Sequence, residues 1–211
     1  MEKINKFYLS GKTFIVFKIL SLISCLACVV NSLIAKEYRN AMLTLILLAL
    51  IDQLLNSYKN NEPNVQKALL SSIFTFFIVG YAEIFFDQNS GTTYSLVTMI
   101  VSAISFILLV FSFICHLFQQ SDHLGKSISV VTNQLIGLAV IVTIAYDIYL
   151  IVNHDYYIDT FLWSLTFIST LTLMICIETR VGEYKKIRLE NIKNKTWNEE
   201  TRKKAKELFK I

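Results

Sequence analysis

Seven positions between residues 95 and 116 carry the clearest chemical pattern in the sequence. Ser95, Thr98, Ser102, Ser105, Leu109, Ser112 and His116 recur at alternating steps of three and four. On a helix that spacing is a single stripe, because residues three and four apart share a face. Six of the seven are polar, and the intervening residues (Met99, Ile100, Val101, Phe106, Ile107, Phe111, Phe113) are apolar or aromatic. Hydroxyls so arranged can do one of two things. They can hydrogen-bond across a close helix–helix contact, or they can line a hydrated path and stand in for water around an ion. His116 ends the stripe, either as a pH-sensitive gate or as an interfacial histidine satisfied by water.

Two acids add to the pattern. Glu83 lies in the run FFIVGYAEIFF and Asp147 in TIAYDIYLIV. Each falls within about 4–8 Å of the end of its apolar segment at 1.5 Å per residue, so each can reach water by extending along the helix. The two share a sign and a level. Multiplied by oligomer symmetry they would form an acidic outer mouth that concentrates cations.

The elements that must position these groups are long apolar stretches. The chain has 211 residues, 54% of them hydrophobic and 17% charged, with 6 Gly and 1 Pro. A bilayer core takes roughly 20 apolar residues per spanning helix. About six such stretches fit, near 13–35, 40–57, 67–86, 93–118, 128–152 and 158–178. The expected fold is therefore all-α: a polytopic membrane protein with six transmembrane helices over residues 1–180. The connections are short, which makes successive helices antiparallel neighbours and suggests three hairpins side by side. The first stretch is too long for a signal peptide and lacks a clean cleavage site, so it is read as retained. Scarcity of Gly and Pro argues against the broken helices of many secondary transporters.

Orientation follows from the basic residues. With the N-terminus inside, the cytoplasmic side collects Lys3, Lys6, Lys12, Lys59, Lys67 and Lys126, leaving Lys36 and Arg39 outside. Eleven of the 20 Lys and Arg lie between Arg180 and Lys210. The expected placement is a cell membrane, such as a bacterial inner membrane, with both termini cytoplasmic. In the tail, residues 181–211, Thr196 and Glu199 have the spacing of a capping box, which would start a helix at Trp197. Arg202, Lys203, Lys204 and Lys206 make that helix basic. It can stand in solvent, rest on anionic lipid, or dock a cytoplasmic anionic ligand or protein partner.

Other chemistry is thinly supported. Cys25-Leu-Ala-Cys28 has the letters of a redox or metal motif, but all four cysteines fall in apolar runs, where Cys acts as a small hydrophobe. Lys18, Ser21, Cys25, Cys28 and Ser32 instead form a ridge suited to close packing. His116, His123 and His154 are scattered, and no acid–base or metal spacing stands out. No enzyme activity and no cofactor are expected. Val79-Gly80-Tyr81-Ala82-Glu83 resembles the selectivity filter of potassium channels over five letters. Ile78 stands where that filter has threonine and Ala82 where it has a second glycine, whose backbone geometry alanine adopts poorly. A re-entrant loop there would also move Lys3, Lys6 and Lys12 outside. The segment is read as an ordinary span.

Two functional expectations follow. The first is a homo-oligomeric, ion-conducting or membrane-perturbing protein, similar in layout though not in motif to membrane effectors of bacterial antiviral defence. The second is a small-molecule transporter or the membrane subunit of an uptake system. Six spans in about 200 residues resemble the substrate-binding subunits of vitamin uptake systems, with Tyr81, Tyr146 and Trp163 as candidates to line a pocket. A passive membrane scaffold or immunity protein is a further alternative.

Overall fold

A computed structural model describes residues 7–86, 96–118, 125–152 and 158–194. The described chain is all-helical. Six long helices follow one another: α1 (Gly11–Ile34), α2 (Tyr38–Lys59), α3 (Pro63–Phe86), α4 (Leu96–Phe118), α5 (Gly125–Val152) and α6 (Ile158–Asn194). Five of these lie within a few residues of the apolar stretches read from sequence. The sixth does not stop near 178; it continues without a break to Asn194.

The first two reversals are closed by the same device. Lys36 and Asn61 take left-handed backbone angles, φ 63° and 55°. At each, the next amide reaches back across the helix end: Glu37 N donates to Ser32 O at 2.8 Å and Glu62 N to Ser57 O at 2.9 Å. The left-handed residue itself bonds two positions nearer, Lys36 N to Leu33 O and Asn61 N to Tyr58 O. This pairing satisfies carbonyls the helix would otherwise leave open. Asn tolerates the conformation well, Lys less so. Pro63 then begins α3, where its missing N–H costs nothing. The Gln66 side-chain amide donates to Ser57 O at 3.0 Å, tying the start of α3 to the end of α2.

Each helix packs against the next in sequence, and α6 returns to pack on α1 as well as α5. Aromatic contacts also join α6 to α3: Phe167 meets Phe77 edge to face at 5.0 Å, and Trp163 stacks on Phe76 at 6.5 Å. The consequence is visible along α6, where every residue from 169 to 177 is buried. A helix buried on all sides is a core helix, and α6 is the post around which the others gather.

The small residues of α1 explain how closely it approaches that post. Ser21, Ser24, Cys25, Cys28 and Ser32 are all buried. Ser24 Oγ lies 3.4 Å from Ser169 Oγ, and Cys28 Sγ 3.4 Å from Thr166 Oγ1. Lys18, at the near end of the ridge, is half-buried. The opposite face of α1 is bare hydrocarbon: Ile15, Val16, Ile19, Ile23, Leu26, Val30 and Leu33 are each about half exposed or more. Exposed Ile and Leu likewise mark the outer faces of α4 and α5. Among the described residues four helices are long and apolar enough to cross a bilayer: Gly11–Ile34, Tyr38–Lys59, Val131–Val152 and Thr160–Lys185. Continuous apolar faces of this size are unstable in water; with these helices they fit an integral, multi-pass membrane protein.

The α1–α6 contact yields a stability prediction. Ser24→Leu forces two extra heavy atoms and a branch into a filled contact, and is expected to cost about 1–3 kcal/mol. Thermal unfolding in detergent should show a lower midpoint, whereas Ile23→Leu on the outward face should leave it unchanged.

Candidate functional site

Two charges separated by a single threonine sit on the core helix, at the end where α1, α3 and α5 begin. Glu178 and Arg180 are two residues apart, so their side chains leave α6 about 200° apart around its axis. They close two stripes with the same three–four rhythm. Thr166, Ser169, Leu173, Cys176 and Arg180 form one; Ser164, Phe167, Leu171, Met174 and Glu178 form the other.

Arg180 closes the stripe toward α1 and α2 and is 2% exposed. Its guanidinium carbon lies 4.6 Å from the centre of the Phe14 ring. Nη2 donates to the Leu9 carbonyl at 3.1 Å, and the Tyr58 hydroxyl shares a hydrogen bond with the guanidinium. Phe14 and Tyr58 are themselves in ring contact at 5.5 Å. A delocalised, weakly hydrated cation suits this site where a lysine ammonium would not.

Glu178 closes the stripe toward α4. Its Oε1 lies 3.0 Å from His116 Nδ1, with the two side chains 7% and 4% exposed. The approach is close but off the hydrogen-bond axis, which leaves Nδ1 without an aligned partner. It is an ion pair when the imidazole carries a proton. The remaining polar atoms, His116 Nε2 and Glu178 Oε2, are buried with no partner. Phe74 of α3 covers the imidazole at 5.7 Å between centroids.

From this pair a line of polar groups runs up the bundle between α4, α5 and α6. On α4, Ser105 and Ser112 are fully buried. Ser112 donates to Leu108 O at 2.7 Å, while Ser105 Oγ has no partner. Thr170 Oγ1 on α6 is buried and has none either, but it leaves the helix about 20° from Trp163, on the side toward α3 and away from this line. On α5, Thr143 donates to Ala139 O at 2.9 Å, and Asn133 Oδ1 is buried and unmet. Asp147 and Ser164 mark the far end. Their side chains approach each other, and the carboxylate's Oδ1 is buried without a partner. Asn133 lies 14 residues before Asp147 on α5, and Glu178 lies 14 after Ser164 on α6. Both steps are about 21 Å of helix, so Asn133 stands level with the Glu178–His116 pair. Leu109, Ile136, Ala139 and Leu171, all fully buried, occupy the seam between these groups.

The residues singled out from sequence are distributed as follows. Ser105, Ser112 and His116 sit inside the bundle. His116 contacts Glu178, where sequence offered a water-satisfied interfacial histidine as one reading. Asp147 is half-buried against Ser164 rather than extended to the surface. Thr98, Ser102 and Glu83 stand on α4 and α3, but their side chains lie outside the described residues, as do Ser95 and the tail residues Arg202, Lys203, Lys204 and Lys206. Sequence reasoning missed Glu178, Arg180, Ser164 and Thr170. The signal that could have found them is the three–four rhythm, which carries both charges on from the apolar part of α6.

Opposite stability effects are expected from the two kinds of buried polar group. Arg180→Ala removes the cation from Phe14, Tyr58 and Leu9 O and should destabilise by about 2–4 kcal/mol. Thr170→Val keeps the shape and removes a hydroxyl that has no partner, so it should be neutral or stabilising by about 1 kcal/mol. Melting midpoints in one detergent would compare them directly. Comparisons of the chain with protein-family models, with curated proteins and with solved structures find no match.

Proposed function

We propose that this chain is a six-span membrane protein, with both termini cytoplasmic, that conducts small cations along the polar seam between α4, α5 and α6. It catalyses no reaction. Copies associate into a homo-oligomer through their outward faces, and each carries its own path. The basic tail, reached directly from α6, is the cytoplasmic control element and takes anionic lipid or an acidic partner.

One observation carries this reading: the row of buried polar atoms without partners. Ser105 Oγ, Asn133 Oδ1, His116 Nε2, Glu178 Oε2 and Asp147 Oδ1 all lie on the three helices that border the seam. Polar atoms in an apolar interior cost free energy unless something meets them. Hydrophobic packing would be served as well by Ala at 105. Water or a passing ion supplies the missing partner. Fully buried Leu109, Ile136 and Leu171 describe a closed state in which the apolar stretch excludes water.

The uptake-subunit alternative draws less support. Trp163, one of its pocket candidates, is stacked on Phe76 and occupied in core packing.

Ion flux in liposomes reconstituted with the full chain tests the proposal. Wild type should dissipate an imposed cation gradient. Ser105→Ala should slow the flux about tenfold or more, equivalent to roughly 1.4 kcal/mol at the highest point of the path, with assembly and melting midpoint preserved. A silent wild type, or a variant as fast as wild type, rules the seam out as a path.

A further inference from the structure

Resting on the conduction reading, we infer that the permeant ion is the proton, and that the His116–Glu178 pair is its binding site at the cytoplasmic end of the seam. The argument begins with the number of ligands. A metal cation shedding its water needs several oxygens at once, about six for Mg²⁺ and six to eight for Ca²⁺, and potassium filters replace the shell with rings of carbonyls. The seam offers far less at any level. At the height of Ser105 it presents a single hydroxyl, with the fully buried Leu109 one turn further along the same stripe of α4. Among the described residues no group of three or more His, Cys, Asp or Glu gathers to hold a metal. A proton asks for one acceptor at a time and can pass along hydroxyls and single waters.

The pair itself has the form of a proton site. With the imidazole neutral and the carboxylate ionised it holds one net negative charge; one added proton makes it neutral overall. In a buried setting that difference matters, because an uncompensated charge is costly there. His116 Nδ1 and Glu178 Oε1 are 3.0 Å apart, so a small rotation of either side chain aligns them to share the proton. Nε2 and Oε2 remain buried and unpartnered, one on each side chain, so the pair keeps an entry and an exit for it. The surroundings leave this charge to the pair. α3 presents the uncharged Phe74 ring. α5 presents the neutral amide of Asn133 at the same level. On α6, Arg180 is committed to Phe14, Leu9 O and Tyr58 on the other side. Among the described residues no other ion pair reaches His116 or Glu178. Asp147, beside Ser164 about 21 Å away along α6, is the matching acceptor at the far end.

The test is proton uptake by liposomes containing the full chain and an internal pH dye, driven by a potassium diffusion potential set with valinomycin. Wild type should acidify the lumen. Glu178→Gln and His116→Gln, which keep size and remove the titrating group, should each slow this about tenfold or more, while Glu178→Asp retains a measurable part of it. Glu178→Gln acidifying as fast as wild type overturns the inference. So does wild type that passes Na⁺ or K⁺ but no protons, an outcome that leaves the conduction reading standing. Absence of flux for every cation defeats both. Should the Gln variants fail to reconstitute, wild type decides alone with a preset pH gradient and all metal cations replaced by N-methylglucamine. Proton flux that persists supports the assignment, and flux that collapses overturns it.

Discussion

Burial of α6 on every side along residues 169–177 is the constraint from which the rest of the molecule follows. A helix with no face to water cannot hydrate its own polar side chains, so each must be met by a neighbour or left unmet at a cost. This sets what the surrounding helices carry. α1 brings small residues that let Ser24 and Cys28 come within 3.4 Å of the hydroxyls of α6. α1 and α2 bring Phe14 and Tyr58 to a guanidinium, and α4 brings an imidazole to a carboxylate. The partners lie on elements distant in sequence, Arg180 to Leu9 being 171 positions apart. Assembly of the bundle and completion of these contacts are therefore one event.

The distribution of polarity is inverted relative to a protein in water. Outward faces of α1, α4 and α5 are Ile, Leu and Val, while Ser, Thr, His, Glu and Arg are inside. Lipid is as apolar as leucine, so burying more leucine gains little between helices in a membrane; close packing and hydrogen bonds hold the bundle instead. The α1–α6 contact is of that kind. The seam between α4, α5 and α6 differs from it, because there the polar atoms are buried without the hydrogen bonds that would make them adhesive.

Much of the scaffold was legible in the sequence. Long apolar runs interrupted at Lys36, at Asn60-Asn61 and at Pro63 place α1, α2 and α3 to within a few residues, since chain reversal needs these residue types. The polar stripe of α4 and the small ridge of α1 could be read as faces because each has one period on one side. The centrality of α6 could not. Its hydroxyls, Ser164, Thr166, Ser169, Thr170 and Thr172, surround the helix and so leave no single stripe. Glu178 and Arg180 were hidden for a related reason. Charge commonly ends a membrane span, so Glu-Thr-Arg reads as a border, and only partners from three other helices reveal it as interior. His116 and Glu178 are 62 positions apart, and no local pattern encodes their meeting.

Whether the seam is adhesive or a path turns on how hydroxyls behave elsewhere in this chain. Their ordinary habit is to bond the carbonyl three or four residues back on their own helix. Ser21, Ser24, Thr44, Ser57, Ser72, Thr75, Ser112, Thr143, Ser169, Thr172 and Thr179 all do so. A buried serine or threonine therefore always has a cheap way to be satisfied. Ser105 and Thr170 do not take it. Thr170 leaves α6 on the α3 side, beside Trp163, whereas Ser105 lies on the stripe of α4 that ends at His116. A hydroxyl that served only packing would have no reason to leave its own carbonyl at that depth. An unmet hydroxyl there is more economically understood as holding a place for something that comes and goes.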